Sequence, residues 1–291
     1  MLEKIKSLDL ISLIIPEAYG GMGLEQDAVS NALALEALAY GDLSLAMSVS
    51  VPLLAAQIIS EHGSEEQKAE LLPQLVNGSI FHVGLGINNA LLATDPYQSS
   101  VVADESAEEI TLNGSKTGVA FADEAKTFLI SASNESGECN LYFVNKDQDG
   151  VELEEKEFMG IKGAPLSQIN LSNCKINASQ KLGGHNYSIN YESLVDSSRI
   201  GMSALALGVC QAVLDYVVPY TNERVAFDEP ISNRQSVAFM IADMAIETEA
   251  LRLMVYKSSA LKDLGEDFHK QASLTYRFAA HHGMKIGTDG V

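Results

Sequence analysis

The residues able to do chemistry in this chain are few and scattered. Its 6 histidines, His62, His82, His185, His269, His281 and His282, show no HExxH or similar ligand spacing, so no metal site is expected. His281 and His282 are adjacent in a helical stretch, and their rings are expected on neighbouring helix faces without converging. Cys139, Cys174 and Cys210 lack CxxC spacing, which suits neither a disulfide framework nor a zinc site. No GxSxG elbow is present. Gly84-Leu85-Gly86, inside FHVGLGINNALL (81–92), has glycines that could let a backbone approach a phosphate. It lacks the third glycine and the immediately following helix of a dinucleotide fingerprint, so it reads as a cofactor loop or as a strand ending in a turn. Arg224 in NERVAF (222–227) stands near the end of a long apolar helix, followed by Phe227. Its cation either caps the helix carbonyls or holds a phosphate or pyrophosphate. Gln235 opens the next helix close by, and Arg199, which begins the first long C-terminal helix, faces the same choice.

Three regions must position these residues. Residues 1–80 carry Ala- and Leu-rich stretches at helical spacing. In SEEQKAELLPQLVNG, Ser64 is placed to N-cap a helix with Gln67 as its capping-box partner, and Gly78 to stop it. Residues 81–187 change character: TFLISAS (127–133), NLYFVN (140–145) and LSQINLSNCKI (166–176) are β-forming runs divided by turn-like breaks, which predicts an antiparallel β domain. Residues 188–291 are helical again. Leu207, Cys210, Leu214 and Val217 form one stripe, and Val237, Ile241, Met244, Leu251 and Val255 another. Three long helices with short connections predict an antiparallel bundle. The helical pattern is still running at Val291, so the chain is expected to be incomplete there.

The chain of 291 residues has a formal net charge of −20, which argues against nucleic acid or an anionic membrane as a main partner. An anionic ligand therefore needs a local basic pocket. No signal peptide and no run of 18 apolar residues is visible, and three scattered cysteines suit a reducing cytoplasm.

IPEAYGGMGL (15–24), HGSEEQKAELLPQLVNG (62–78), LNGSKT (112–117), MGIKGAP (159–165), the stretch from Arg199 to Leu253 and TDGV (288–291) together resemble the acyl-CoA dehydrogenase family, in the right order over nearly the whole chain. The resemblance implies an α+β multidomain fold: an N-terminal helical domain, a middle β domain and a C-terminal helix bundle. It implies an FAD-dependent oxidoreductase that removes the α proton and β hydride of an acyl-CoA thioester, passes electrons to an electron-transfer protein, and self-associates. By that resemblance Arg224, Phe227 and Gln235 would lie around the adenine-diphosphate end of the FAD of a neighbouring subunit, Leu85 and Gly86 would meet the flavin, and Arg199 would lie near the catalytic pocket. The departures are specific. LGINNALLATD (85–95) stands where the family has a TEPxAGSD-like motif, and Gly118-Val119-Ala120 stands where it has an aromatic residue and a hydroxyl. Ala226 and Asp228 replace the threonine and glycine of RxTFG. The family's usual glutamate base would lie beyond Val291, and its alternative position is Ser198. A flavin-free family member, serving as a structural or regulatory subunit beside an active paralogue, is the competing expectation.

Overall fold

A computed structural model of the chain describes residues 9–24, 27–77, 83–89, 95–105 and 109–291. Gly78, His82 and Leu91–Leu92, singled out above, lie outside them. The N-terminal region holds α1 (Leu10–Ile14), α2 (Ala28–Gly41), α3 (Leu43–His62) and α4 (Glu65–Asn77). The expected capping box starts α4: Gln67 N–H donates to Ser64 Oγ at 3.3 Å and Ser64 N–H to Gln67 Oε1 at 3.0 Å. Gln67 also donates to the Ser179 and Lys181 carbonyls at 2.9 and 2.8 Å, tying the helix start to a distant loop.

The middle region forms a seven-stranded sheet. Its strands are β1 (Val83–Gly86), β2 (Val102–Glu105), β3 (Glu109–Ala120), β4 (Thr127–Ser133), β5 (Cys139–Asn145), β6 (Val151–Lys156) and β7 (Leu166–Asn177). Their order is β1-β4-β2-β3-β7-β6, with β5 on the other side of β4. Pairing is antiparallel at β2–β3, β3–β7, β4–β5 and β6–β7. It is parallel at β1–β4 and β2–β4, so the sheet is mixed rather than wholly antiparallel. The sequence pattern could not show this, because β1 and β4 are separated by two other strands and neither is joined to the other by a hairpin. Ile110, Leu112, Phe128, Ile130, Tyr142 and Ile169 build the core.

The C-terminal region holds α5 (Tyr191–Glu223), a two-stranded hairpin of β8 (Val225–Ala226) and β9 (Glu229–Pro230), α6 (Gln235–Asp263) and α7 (His269–Asp289). The predicted stripes meet: Leu207, Cys210, Val217, Met244, Leu251 and Val255 are buried together, with Leu214 and Ile241 packed against them. Val237 stays outside this cluster, half-buried. By length and composition α3 and α5 are apolar enough to cross a membrane. In α5 the apolar residues Ala204, Leu207 and Cys210 are instead buried in the bundle core.

The chain divides into two compact units, one of residues 1–25 with 47–192 and one of residues 26–46 with 193–291. The second unit therefore holds α2 beside α5, α6 and α7. Gly208 on α5 permits this, since a Cβ there would collide with the Glu36 carbonyl and crowd the Tyr40 backbone nitrogen at 2.9 Å. Asp263, at the end of α6, accepts from the Ala28 and Val29 N–H groups at 2.6 and 3.1 Å, while Asp27 accepts from Ser30 N–H at 2.6 Å. Three of the orphan donors at the start of α2 are thereby satisfied. Glu36 then binds Arg252 of α6 and accepts from Tyr256 Oη at 2.6 Å.

Candidate cofactor and substrate site

Leu85 and Gly86 lie on β1, in the sheet unit. The two glycines there have a packing cause. In the parallel register Gly84 faces Phe128 and Gly86 faces Ile130. A Cβ on Gly84 would stand 2.8 Å from the Phe128 ring, and one on Gly86 would collide with the Ile130 side chain. Gly-x-Gly thus lets two large core residues of β4 lie flat against β1. The strand is followed by a segment held by Lys116. This fully buried lysine donates to Ile87 O, Asn89 Oδ1 and Ser99 Oγ at 3.3, 2.9 and 2.8 Å. Burial pushes its amine down to about 8, and nearby Cys139, itself pushed up to about 11 by burial, acts in the opposite direction on the lysine. Gly118, at φ +66, has only the Asn88 amide within 4 Å of where a Cβ would be, whereas Val119 and Ala120 are buried.

In the bundle unit, Arg199 is tied into α5 and α7. Its Nη1 donates to Asp196 Oδ1 and to Ser273 Oγ, both at 2.9 Å. Asp196 is buried, and its second oxygen lies 2.8 Å from His269 Nδ1. The guanidinium is held by one buried carboxylate and a hydroxyl, which fixes its direction. Ser198 Oγ donates to the Val195 carbonyl of its own helix at 2.7 Å, so the residue at the alternative base position is engaged as a donor. The pair His281–His282 behaves differently from the expectation: the rings meet edge to face with centroids 4.9 Å apart, and His282 also lies 3.9 Å from the Phe278 ring. Stacking on Phe278 turns the second ring back along the helix, which spacing alone does not reveal. Among the described residues no group of three His, Cys, Asp or Glu could hold a metal ion.

Arg224 directly precedes β8, Phe227 lies in the β8–β9 loop, and Gln235 opens α6. Phe227 and Asp228 are the two loop residues, at φ +58 and +65. Phe227 is 87% exposed. The sequence reasoning missed Arg234. Its guanidinium carbon lies 4.9 Å from the Phe227 ring centre, and Nη2 donates to the Ala226 carbonyl at 3.2 Å. A cation immediately before a helix start, seven residues after an exposed aromatic, was the available signal. The Arg234 guanidinium, the exposed Phe227 ring and the start of α6 are groups able to bind a phosphate joined to a flat base.

Family models for the N-terminal, middle and C-terminal domains of acyl-CoA dehydrogenase match residues 1–79, 92–174 and 190–291. The short-chain specific acyl-CoA dehydrogenase of Megasphaera elsdenii is 30% identical over 301 residues, covering 100% of this chain and 78% of its own length. This chain belongs to the acyl-CoA dehydrogenase family. The mitochondrial short/branched chain specific acyl-CoA dehydrogenase of Rattus norvegicus is 31% identical, over 93% of this chain and 63% of its own length. This chain therefore spans less than two thirds of that relative. A glutaryl-CoA dehydrogenase from Mycobacterium smegmatis, solved in complex with FADH2, superposes with a TM-score of 0.85 at 25% identity, covering 100% of this chain and 75% of that one. The helical, β and helical order of this family is the order described above.

The residues present fit the family's dinucleotide at its diphosphate end. Arg234 Nε is buried without a hydrogen-bond partner, an orphan donor that an anionic oxygen would satisfy. On β1 Leu85 is half-buried, and Gly118 leaves open space beside the Asn88 amide.

Proposed function

We propose that this chain carries the cofactor- and substrate-holding surfaces of an FAD-dependent acyl-CoA dehydrogenase. The observation that carries this is the Phe227–Arg234 pair at the start of α6. Arg224 and Arg234 would hold the diphosphate of a neighbouring subunit's FAD, with Phe227 and Gln235 beside its adenine end. Leu85 and Gly86 would border the flavin. Bound there, the flavin supplies the hydride acceptor for α,β-dehydrogenation of an acyl-CoA thioester. The protein's part is orientation and exclusion of water. Arg199, fixed by Asp196 and Ser273, would sit on the substrate side as a cation whose direction does not wander. Reduced cofactor would pass electrons to an electron-transfer protein.

Self-association fits the same reading. Phe239, Ile246 and Leu253 repeat every seven residues along α6 and are 64, 67 and 63% exposed. Such a stripe is the kind of surface a second copy or a paralogous subunit covers. The reading places the reaction in fatty acid metabolism, and three buried unpaired thiols suit a reducing cytoplasm.

The test is direct. The purified chain is mixed with FAD, desalted, and its visible spectrum recorded. Retained flavin absorbance in about one equivalent per chain is expected. A colourless, folded protein would overturn the flavoenzyme reading and return the flavin-free subunit in its place.

A further inference from the structure

We propose that Lys116 is a buried cation that sets the reduction potential of the flavin, by favouring the reduced cofactor over the oxidised one. The inference rests on the flavin reading above, in which Leu85 and Gly86 border the flavin, and it gives that border a charged group.

Lys116 packs directly against Gly86. A Cβ on that glycine would stand 3.7 Å from the Lys116 Cβ. The side chain is fully buried, and Nζ donates to Ile87 O, Asn89 Oδ1 and Ser99 Oγ at 3.3, 2.9 and 2.8 Å. All three acceptors are neutral, and each already has another partner. Ser131 Oγ donates to Ile87 O at 3.3 Å, and Ser100 N–H donates to Asn89 Oδ1 at 2.9 Å. Ser99 Oγ gives its own proton to the Ser131 carbonyl at 2.7 Å. None of the three has a proton left to donate to the amine. The arrangement therefore suits an ammonium, with three N–H groups for three oxygens.

No acid answers this charge among the described residues. Lysines this deeply buried are almost always paired. The one titratable side chain acting on Lys116 is Cys139 of β5, which burial pushes up to about 11. Tyr191, at the start of α5, hydrogen-bonds to Cys139 and to Ser131 and is pushed up by burial too. Both are neutral where the amine titrates, at about 8. An unbalanced cation in a site of low dielectric attracts an anion strongly. The hydride taken from the acyl β-carbon carries two electrons and one proton, so it adds one negative charge to the cofactor, while the α proton departs separately. Charge beside a flavin tunes its electronics. A cation behind Gly86 thus stabilises the reduced form more than the oxidised form.

The test is the midpoint potential of the FAD-loaded full chain, read by equilibration with a redox dye between pH 7 and 10. Wild type, Lys116→Met and Lys116→Arg are compared. At pH 7 Lys116→Met is expected to lower the preference for reduced over oxidised FAD about tenfold, a fall of roughly 30 mV for a two-electron couple. Lys116→Arg keeps the charge and should stay at the wild-type potential. Coupling is reciprocal, so a tenfold effect raises the amine's titration by about one pH unit when the cofactor is reduced. The wild type should then take up a second proton on reduction between about pH 8 and 9, and its potential should fall more steeply there. Lys116→Met should lack that steeper stretch. An unchanged potential in Lys116→Met overturns the proposal. An equal fall in Lys116→Arg also overturns it, by tracing the effect to shape. If Lys116→Met is unfolded by circular dichroism or loses FAD, the wild-type pH series decides, and a uniform slope overturns the proposal while the flavin reading stands. If the wild type retains no FAD, both fall.

Discussion

Lys116 shows how a single residue carries structure that its type does not announce. Within LNGSKT it looks like a surface lysine of a turn, yet it is fully buried and its three acceptors fix residues 87–89 and Ser99. Burial holds its amine at about 8, below the ordinary 10.5. Between those values the unfolded chain keeps a proton that the folded chain has released, so folding gains stability as pH rises through that window. The gain is roughly 3 kcal/mol at most. Cys139, Cys174 and Cys210, each pushed up to about 11, act with the opposite sign above pH 9. The contributions of Cys174 and Cys210 are common to a Lys116→Met variant and cancel, and that of Cys139, which Lys116 itself pulls down, is removed by comparing variants in a Cys139→Ala background. The stability of the wild type relative to Lys116→Met, from urea titrations, should therefore rise between pH 8 and 10. A flat or falling difference would show that the amine is solvated. Neither this burial nor the Arg234 stacking was legible from residue types, because both depend on what folds over the side chain.

Among elements, the β8–β9 hairpin and the α2–α5 contact make opposite predictions. Replacing Phe227-Asp228 with Asn-Gly removes two left-handed non-glycine residues. It should stabilise the fold by roughly 1–2 kcal/mol and raise Tm, while ADP affinity drops because the ring is gone. A lower Tm would mean that the Phe227–Arg234 contact outweighs the strain. Gly208→Ala pushes a methyl group into the Glu36 carbonyl, a backbone atom that cannot rotate away. It should cost about 1–3 kcal/mol in urea unfolding. The helices and most strands were readable from period and caps, and the Ser64–Gln67 capping box was read from its spacing. Gly208 was not, since a glycine inside an apolar helix has the same pattern whether or not another helix crosses it.

For the whole molecule, charge and exposed apolar surface set the terms. With a net charge of −20, copies of the chain repel one another, and an apolar contact has to outweigh that repulsion for them to associate. Phe239, Ile246 and Leu253 are exposed along α6, flanked by the exposed acids Asp243 and Glu249. Ile246→Glu should lower the sedimenting mass without changing helix content, and higher salt should favour the wild-type assembly by screening repulsion. A wild type that sediments as a monomer at all concentrations would rule out the stripe as an interface.

The sequence by itself determined the family, the helical–β–helical order and most of the core stripes. These are local patterns of period, capping and motif, written in contiguous residues. Only the tertiary structure decided that β1 runs parallel to β4, that Gly84 and Gly86 serve Phe128 and Ile130, that α2 packs against α5 and α6, and that Arg234 stacks on Phe227. Each of these depends on which residues, distant in the chain or turned by a strained loop, share the same few ångströms.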